Sequence, residues 1–127
     1  MIKRILMVDD DLDFIEACQN VLEAEGYRVD HETQGQAVFS KVQETLPDLV
    51  LLDVLMQNQM LGFEVADRMF REEKLKHIPV IFLTGYFKRV TMTDKESKMI
   101  QSWTNVKGVL DKPVKPATLL ELIRRVG

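Results

Sequence analysis

Asp48-Leu49-Val50-Leu51-Leu52-Asp53 sets four consecutive apolar residues between two aspartates. A run this short and unbroken is the pattern of a strand covered on both faces, since a strand with one wet face would alternate. Asp53 then stands where a buried strand ends, and an unpaired buried charge is expensive. Ile5-Leu6-Met7-Val8 repeats the pattern and ends in Asp9-Asp10-Asp11. In open α/β sheets the carboxyl ends of the strands are where ligands bind. Two strands that deliver acids to that edge mark a site.

Strand-like and helix-like segments alternate outward from these runs. Residues 2–8 read as a first buried strand. A helix follows over 12–25, with Leu12, Ile15, Cys18 and Leu22 on one face, Phe14 and Val21 flanking, and Gly26 as the stop. Residues 27–32 form a short second strand. Thr33-Gln34-Gly35-Gln36 fits a capping box opening a helix that carries Val38 and Val42 and ends at Leu46-Pro47. After the strand at 48–53 comes a helix over 63–73, with Phe63, Ala66, Met69 and Phe70 on one side. Val80-Ile81-Phe82-Leu83 is a fourth strand, ending at Thr84-Gly85. Thr93-Asp94-Lys95-Glu96 is a second capping box, so a helix is placed over 94–103. A strand at 106–110 and a helix over 116–126 complete the series. Five strands alternating with five helices imply a parallel sheet covered on both faces and joined by right-handed crossovers.

Composition narrows the function classes. At 127 residues the chain reads as a single domain, 1–127, large enough for a substantial core. A net charge of −3 leaves no global basic field to recruit nucleic acid or anionic membrane, so neither is expected as a partner. Cys18 is the one cysteine, which rules out an intrachain disulfide and fits a reducing, cytoplasmic setting. On its helical stripe it reads as a small buried hydrophobe. Lys3 and Arg4 precede only four apolar residues, too few for a signal-peptide core. His31 and His77 lack ligand spacing and read as surface residues.

The strand ends together carry Asp9, Asp10, Asp11, Asp53, Thr84 and Asp111-Lys112-Pro113. Clustered carboxylates need a cation, and oxygen-only ligands favour magnesium or calcium over zinc. A hydroxyl and an ammonium beside them suit phosphoryl oxygens, which points to phosphoryl transfer. Asp11 fits better as the N-cap of the first helix than as a third metal ligand.

Met7-Val8-Asp9-Asp10, Leu51-Leu52-Asp53-Val54-Leu55-Met56, Leu83-Thr84-Gly85 and Leu110-Asp111-Lys112-Pro113, in this order and strand context, resemble the receiver (response regulator) domain of two-component signalling. The resemblance covers essentially the whole chain. It implies a flavodoxin-like, doubly wound sheet of strand order 2-1-3-4-5. It also implies that Asp53 accepts a phosphoryl group from a histidine kinase or a histidine phosphotransfer protein. Asp10 would ligate Mg²⁺ directly, Asp9 mainly through water, and the backbone carbonyl of Leu55 would join them. Thr84 and Lys112 would hold the phosphoryl oxygens, and the Lys112-Pro113 peptide would be cis. The altered surface would engage an effector through the fourth helix, fifth strand and fifth helix, with a homodimer as a further expectation. Such a switch modifies itself and is not an enzyme with a separate turnover substrate.

The chain departs from the family pattern in three places. Gln57 stands where a proline is usual, and Gly62 lies nine residues after Asp53, so the intervening loop is one residue longer. Val109 occupies the position of the switch aromatic; Tyr86, Phe87 and Trp103 are candidate substitutes, although Trp103 reads first as core. The segment between Thr84 and Lys112 is longer than usual. Its residues Tyr86, Phe87, Val90 and Met92, interleaved with Lys88 and Arg89, read either as an irregular loop tucked on the domain or as a partner surface or lid. Tyr86 there is expected to shield the phosphoryl group from water. Rival readings are an interaction module that ignores phosphate, with Val109 as its sign, and an enzyme or flavin binder on the same architecture. No glycine-rich phosphate cradle follows the first strand to support the last.

Overall fold

The computed structural model describes residues 1–56, 59–85 and 93–127. The expectations placed on Gln57 and on residues 86–92, including Tyr86 and Phe87, lie outside the described residues. Five parallel strands, β1 (Arg4–Val8), β2 (Arg28–Glu32), β3 (Leu49–Leu52), β4 (Val80–Thr84) and β5 (Val106–Asp111), form one sheet in the order β2-β1-β3-β4-β5. Among the described residues the α-helices are α1 (Leu12–Ala24), α2 (Val38–Thr45), α3 (Leu61–Arg71), α4 (Asp94–Ser102) and α5 (Pro116–Val126). None is long and apolar enough to cross a membrane.

The apolar runs are unbroken because alternate residues serve two cores. Leu6, Val8, Val50, Leu52, Val80 and Phe82 face α2, α3 and Trp103, whereas Ile5, Met7, Leu49, Leu51, Ile81 and Leu83 face α1 and α5. Both sets are buried, as a doubly covered parallel sheet requires. Trp103 belongs to the first core, 4% exposed, with its ring against Phe63 and Phe82 and its indole N–H donating to Asp67 at 3.0 Å. It is therefore a core residue, as it read first. Val109 is half-buried against the same core, in register with Phe82.

Asp11 caps α1 as expected, its carboxylate accepting from the backbone N–H groups of Asp13 and Phe14. The capping box of Thr93 and Glu96 forms in both directions. The box at Thr33 does not. The Glu32 carboxylate accepts from the N–H groups of Thr33 and Gln34, both at 2.9 Å. The chain then makes a 3₁₀ turn over Gly35–Ala37 before α2 begins. Leu12 is 56% exposed, because at the first position of α1 it lies at the rim of the sheet edge and off the buried stripe. Cys18 is half-buried, at the margin of its core and not within it. His31 and His77 are exposed, as read.

The two acids that bound the β3 run do different work. Asp48 Oδ2 accepts from the backbone N–H groups of Lys3 and Arg4, each at 2.9 Å, tying the start of β1 to the start of β3. These bonds, Arg4 first, hold its carboxyl below the usual carboxylate range. Asp48→Ala is expected to cost about 1 kcal/mol in urea unfolding, the net worth of such bonds at an exposed position.

Candidate functional site

The parallel register brings the acid-bearing strand ends together. Val8 pairs with Leu52, and the Asp53 N–H donates to the Val8 carbonyl at 3.0 Å, so Asp9 and Asp53 leave the sheet side by side. Thr84 pairs with Asp111, and the Lys112 N–H donates to the Thr84 carbonyl at 3.1 Å. The Lys112-Pro113 peptide is cis, as the resemblance implied.

Asp9 (2% exposed), Asp53 (6%) and Thr84 (1%) are buried, whereas Asp10 is exposed at the mouth of the site. Carboxylate oxygens of Asp9, Asp10 and Asp53 lie within 4.8 Å of one another. The Lys112 ammonium donates to Asp9 Oδ2 and lies 3.3 Å from Asp53 Oδ2. The other oxygen of Asp9 accepts from the Asp11 N–H at 2.9 Å, and Asp53 Oδ1 accepts from the Leu55 N–H at 3.3 Å. The Thr84 side chain is also hydrogen-bonded to Asp53.

Burial and neighbouring charge shift the titration of these groups. Burial, with a further push from the Asp53 charge, raises the Asp9 carboxyl to about 6, against the opposing pull of Lys112 and the Asp11 N–H. Burial likewise raises Asp53, and Lys112, Thr84 and Leu55 offset it in part. For Lys112, burial acts to lower the ammonium, but the Asp9 hydrogen bond and the charges of Asp9 and Asp53 outweigh it and raise it. Among the described residues, the Lys112 ammonium is placed against Asp9 and Asp53. An all-oxygen set of this kind fits a hard divalent cation such as magnesium.

The described residues on either side of the loop after Asp53 are tied together. Met56 and Gln59 exchange backbone hydrogen bonds at 2.9 Å, closing the loop at its base. Gly62, in the first turn of α3, then donates to the Val54 carbonyl at 3.0 Å. A Cβ on Gly62 would stand 2.2 Å from the Asp53 carbonyl oxygen, so the helix rests directly on the Asp53 backbone.

Sequence reasoning missed two contributors. Phe14, read only as a flank of α1, lies with its ring centroid 4.4 Å from Lys112 Nζ. An aromatic three positions past an N-cap at this edge was the available signal. Gly62 appeared only as a displaced loop glycine, although its closeness to Asp53 is a tertiary contact.

The response regulator receiver domain description matches residues 5–124. The phosphate regulon transcriptional regulatory protein PhoB of Rhizobium meliloti is 30% identical over 126 residues, covering 99% of this chain and 51% of that protein. The chain thus spans about half the length of that relative. The polar-differentiation response regulator DivK of Brucella melitensis is 27% identical over 124 residues, covering 98% of this chain and 95% of that one. Among solved structures, the chemotaxis response regulator CheY4 of Vibrio cholerae superposes with a TM-score of 0.82 at 25% identity, with 100% of both chains covered. A CheY-like receiver domain protein from Methanospirillum hungatei superposes with a TM-score of 0.83 at 26% identity, covering 99% of this chain and 94% of that one. With the sheet order and the acidic edge in agreement, the match over residues 5–124 means that this chain belongs to the response regulator receiver domain family of two-component signalling.

Proposed function

We propose that the chain is a phosphorylation-activated switch in which Asp53 accepts a phosphoryl group from a histidine kinase or a histidine phosphotransfer protein. The observation that carries this reading is the setting of the Asp53 carboxylate, buried beside Asp9 and Asp10 and 3.3 Å from the Lys112 ammonium. Asp9, Asp10, Asp53 and the backbone carbonyl of Leu55 would hold Mg²⁺. When bound, it supplies positive charge to the carboxylates and the incoming phosphoryl oxygens.

An Asp53 carboxylate oxygen attacks the phosphorus of phosphohistidine in line. The phosphorus–oxygen bond forms as the phosphorus–nitrogen bond breaks, and the leaving imidazole keeps the electron pair and takes up a proton. Most of the rate comes from positioning and charge neutralisation. The Lys112 ammonium and the Thr84 hydroxyl, both already on Asp53, turn to the new phosphoryl oxygens. That shift biases the face formed by α4, β5 and α5, which would meet a downstream effector domain or protein. The face is lightly anchored: α4 buries no residue completely, and Val106, Val109 and Leu110 of β5 are half-buried. The step is self-modification in the cytoplasm, with no separate turnover substrate.

Incubation with Mg²⁺ and acetyl phosphate, read by intact-mass spectrometry, is expected to add one phosphoryl group to the wild-type chain. The Asp53→Asn chain should add none, and a chelator should suppress the reaction. An adduct that survives Asp53→Asn would refute Asp53 as the acceptor. Failure of the wild type with both acetyl phosphate and a phosphorylated histidine donor would favour an interaction module that ignores phosphate, the reading that Val109 in place of an aromatic supports.

A further inference from the structure

Lys112 has three N–H donors to place in a half-buried site. One goes to Asp9 and a second points to Asp53 at 3.3 Å. On a third side lies the ring of Phe14, its centroid 4.4 Å from Nζ. A cation at this distance from an aromatic face is attracted by the ring quadrupole, and more strongly where water is partly excluded.

Phe14 is partly buried against the core that α1 and α5 share with the sheet. Phe14 also lines an apolar cavity of about 150 Å³ between α1 and α5, together with Cys18, Val21, Pro113 and Leu119. Phe14 thus packs on the core and meets open space on its cavity side. Its backbone, in contrast, is held. The Asp11 carboxylate that caps α1 accepts from the Phe14 N–H at 3.2 Å, and the Asp11 N–H in turn donates to Asp9. One connected set of bonds thus runs from Asp9 through the helix cap to the ring and back to the ammonium that Asp9 holds.

We propose that Phe14 is a positioning residue for Lys112: its ring face keeps the ammonium between Asp9 and Asp53, where it can be handed to the phosphoryl group. This rests on the reading of Asp53 as the acceptor and deepens it, because it names what regulates the lysine of that site. A leucine at 14 keeps apolar bulk and loses the quadrupole, whereas a tryptophan keeps the ring face.

Two measurements test it. With acetyl phosphate and Mg²⁺, Phe14→Leu is expected to slow phosphorylation of Asp53 about fivefold, as loss of a partly desolvated cation–π contact implies. Phe14→Trp should restore most of the rate, and stepwise fluorination of Phe14 should lower it progressively, with the urea midpoint falling in step. Equal rates for leucine and phenylalanine, or no trend with fluorination, would overturn the proposal. The second measurement needs no phosphorylation: a double-mutant cycle of Phe14→Leu and Lys112→Met in urea unfolding. Non-additive midpoints are expected, and strict additivity would overturn the Phe14–Lys112 coupling. A wild-type chain that takes no phosphoryl group would refute the acceptor reading instead, and the cycle would then decide the contact by itself.

Discussion

Asp9→Asn is expected to stabilise the metal-free chain at pH 8 by up to about 3 kcal/mol, at 1.36 kcal/mol per pKa unit. The Asp9 carboxyl is raised from 3.8 to about 6, first by burial. The native chain therefore holds a proton between these values that the unfolded chain has released. Stability from this group is greatest below pH 4, falls as pH rises towards 6, and stays lost above it. A neutral isostere removes that penalty and leaves one oxygen for the Lys112 ammonium, while losing the bond that the other Asp9 oxygen accepts from the Asp11 N–H, so the gain falls below the full value. Urea unfolding of both chains at pH 5 and pH 8 in a chelator measures it: the gain should shrink at the lower pH. Added Mg²⁺ should do for the wild type what the substitution does without metal, raising its midpoint at pH 8 and much less at pH 5, where the proton competes. An Asp9→Asn chain less stable than wild type at pH 8 would show that Asp9 is a net stabiliser and that the acidic cluster carries no stored repulsion.

Gly62→Ala is expected to cost about 3 kcal/mol and to slow phosphorylation of Asp53 on the order of 100-fold, although Gly62 contributes no side chain to the site. The added methyl would meet the Asp53 carbonyl oxygen at 2.2 Å, the Val54 Cα at 2.6 Å and the Asp53 carbonyl carbon at 2.9 Å. All three are backbone atoms, so no side chain can swing aside. Either α3 lifts, breaking the Gly62 N–H bond to Val54, or the peptide after Asp53 tilts and carries the carboxylate away from Lys112. Circular dichroism in urea gives the first quantity and the rate of mass gain with acetyl phosphate the second. An alanine chain with the wild-type midpoint would mean that the contact relaxes freely.

These two positions show what can be read in one dimension. Asp9 was legible because acids at the ends of two unbroken apolar runs are anomalous wherever they occur. The strands were legible for the same reason, and their limits shifted by only a residue or two, as in β3 at Leu49–Leu52. Local signals misled where a neighbour competed for the same groups. Thr33 had the residues of a capping box, but the Glu32 carboxylate took the nearby N–H groups first. Leu12 had the right spacing for the α1 stripe, but the helix starts there, at the rim. The N-cap at Asp11 and the box at Thr93 and Glu96 formed as read, each acceptor reaching the N–H groups of its own first turn.

Residue order alone, through apolar runs that must be covered on both faces and acids that terminate them, was enough to specify a doubly wound parallel sheet with Asp9, Asp10, Asp53, Thr84 and Lys112 at one edge. Only the folded chain settled how those groups share their charge. Distance and burial decide that, and neither is written in spacing. The same holds for Gly62 lying on the Asp53 backbone and for Phe14 facing the Lys112 ammonium: each contact joins elements far apart in the chain, brought together by packing that no local pattern records.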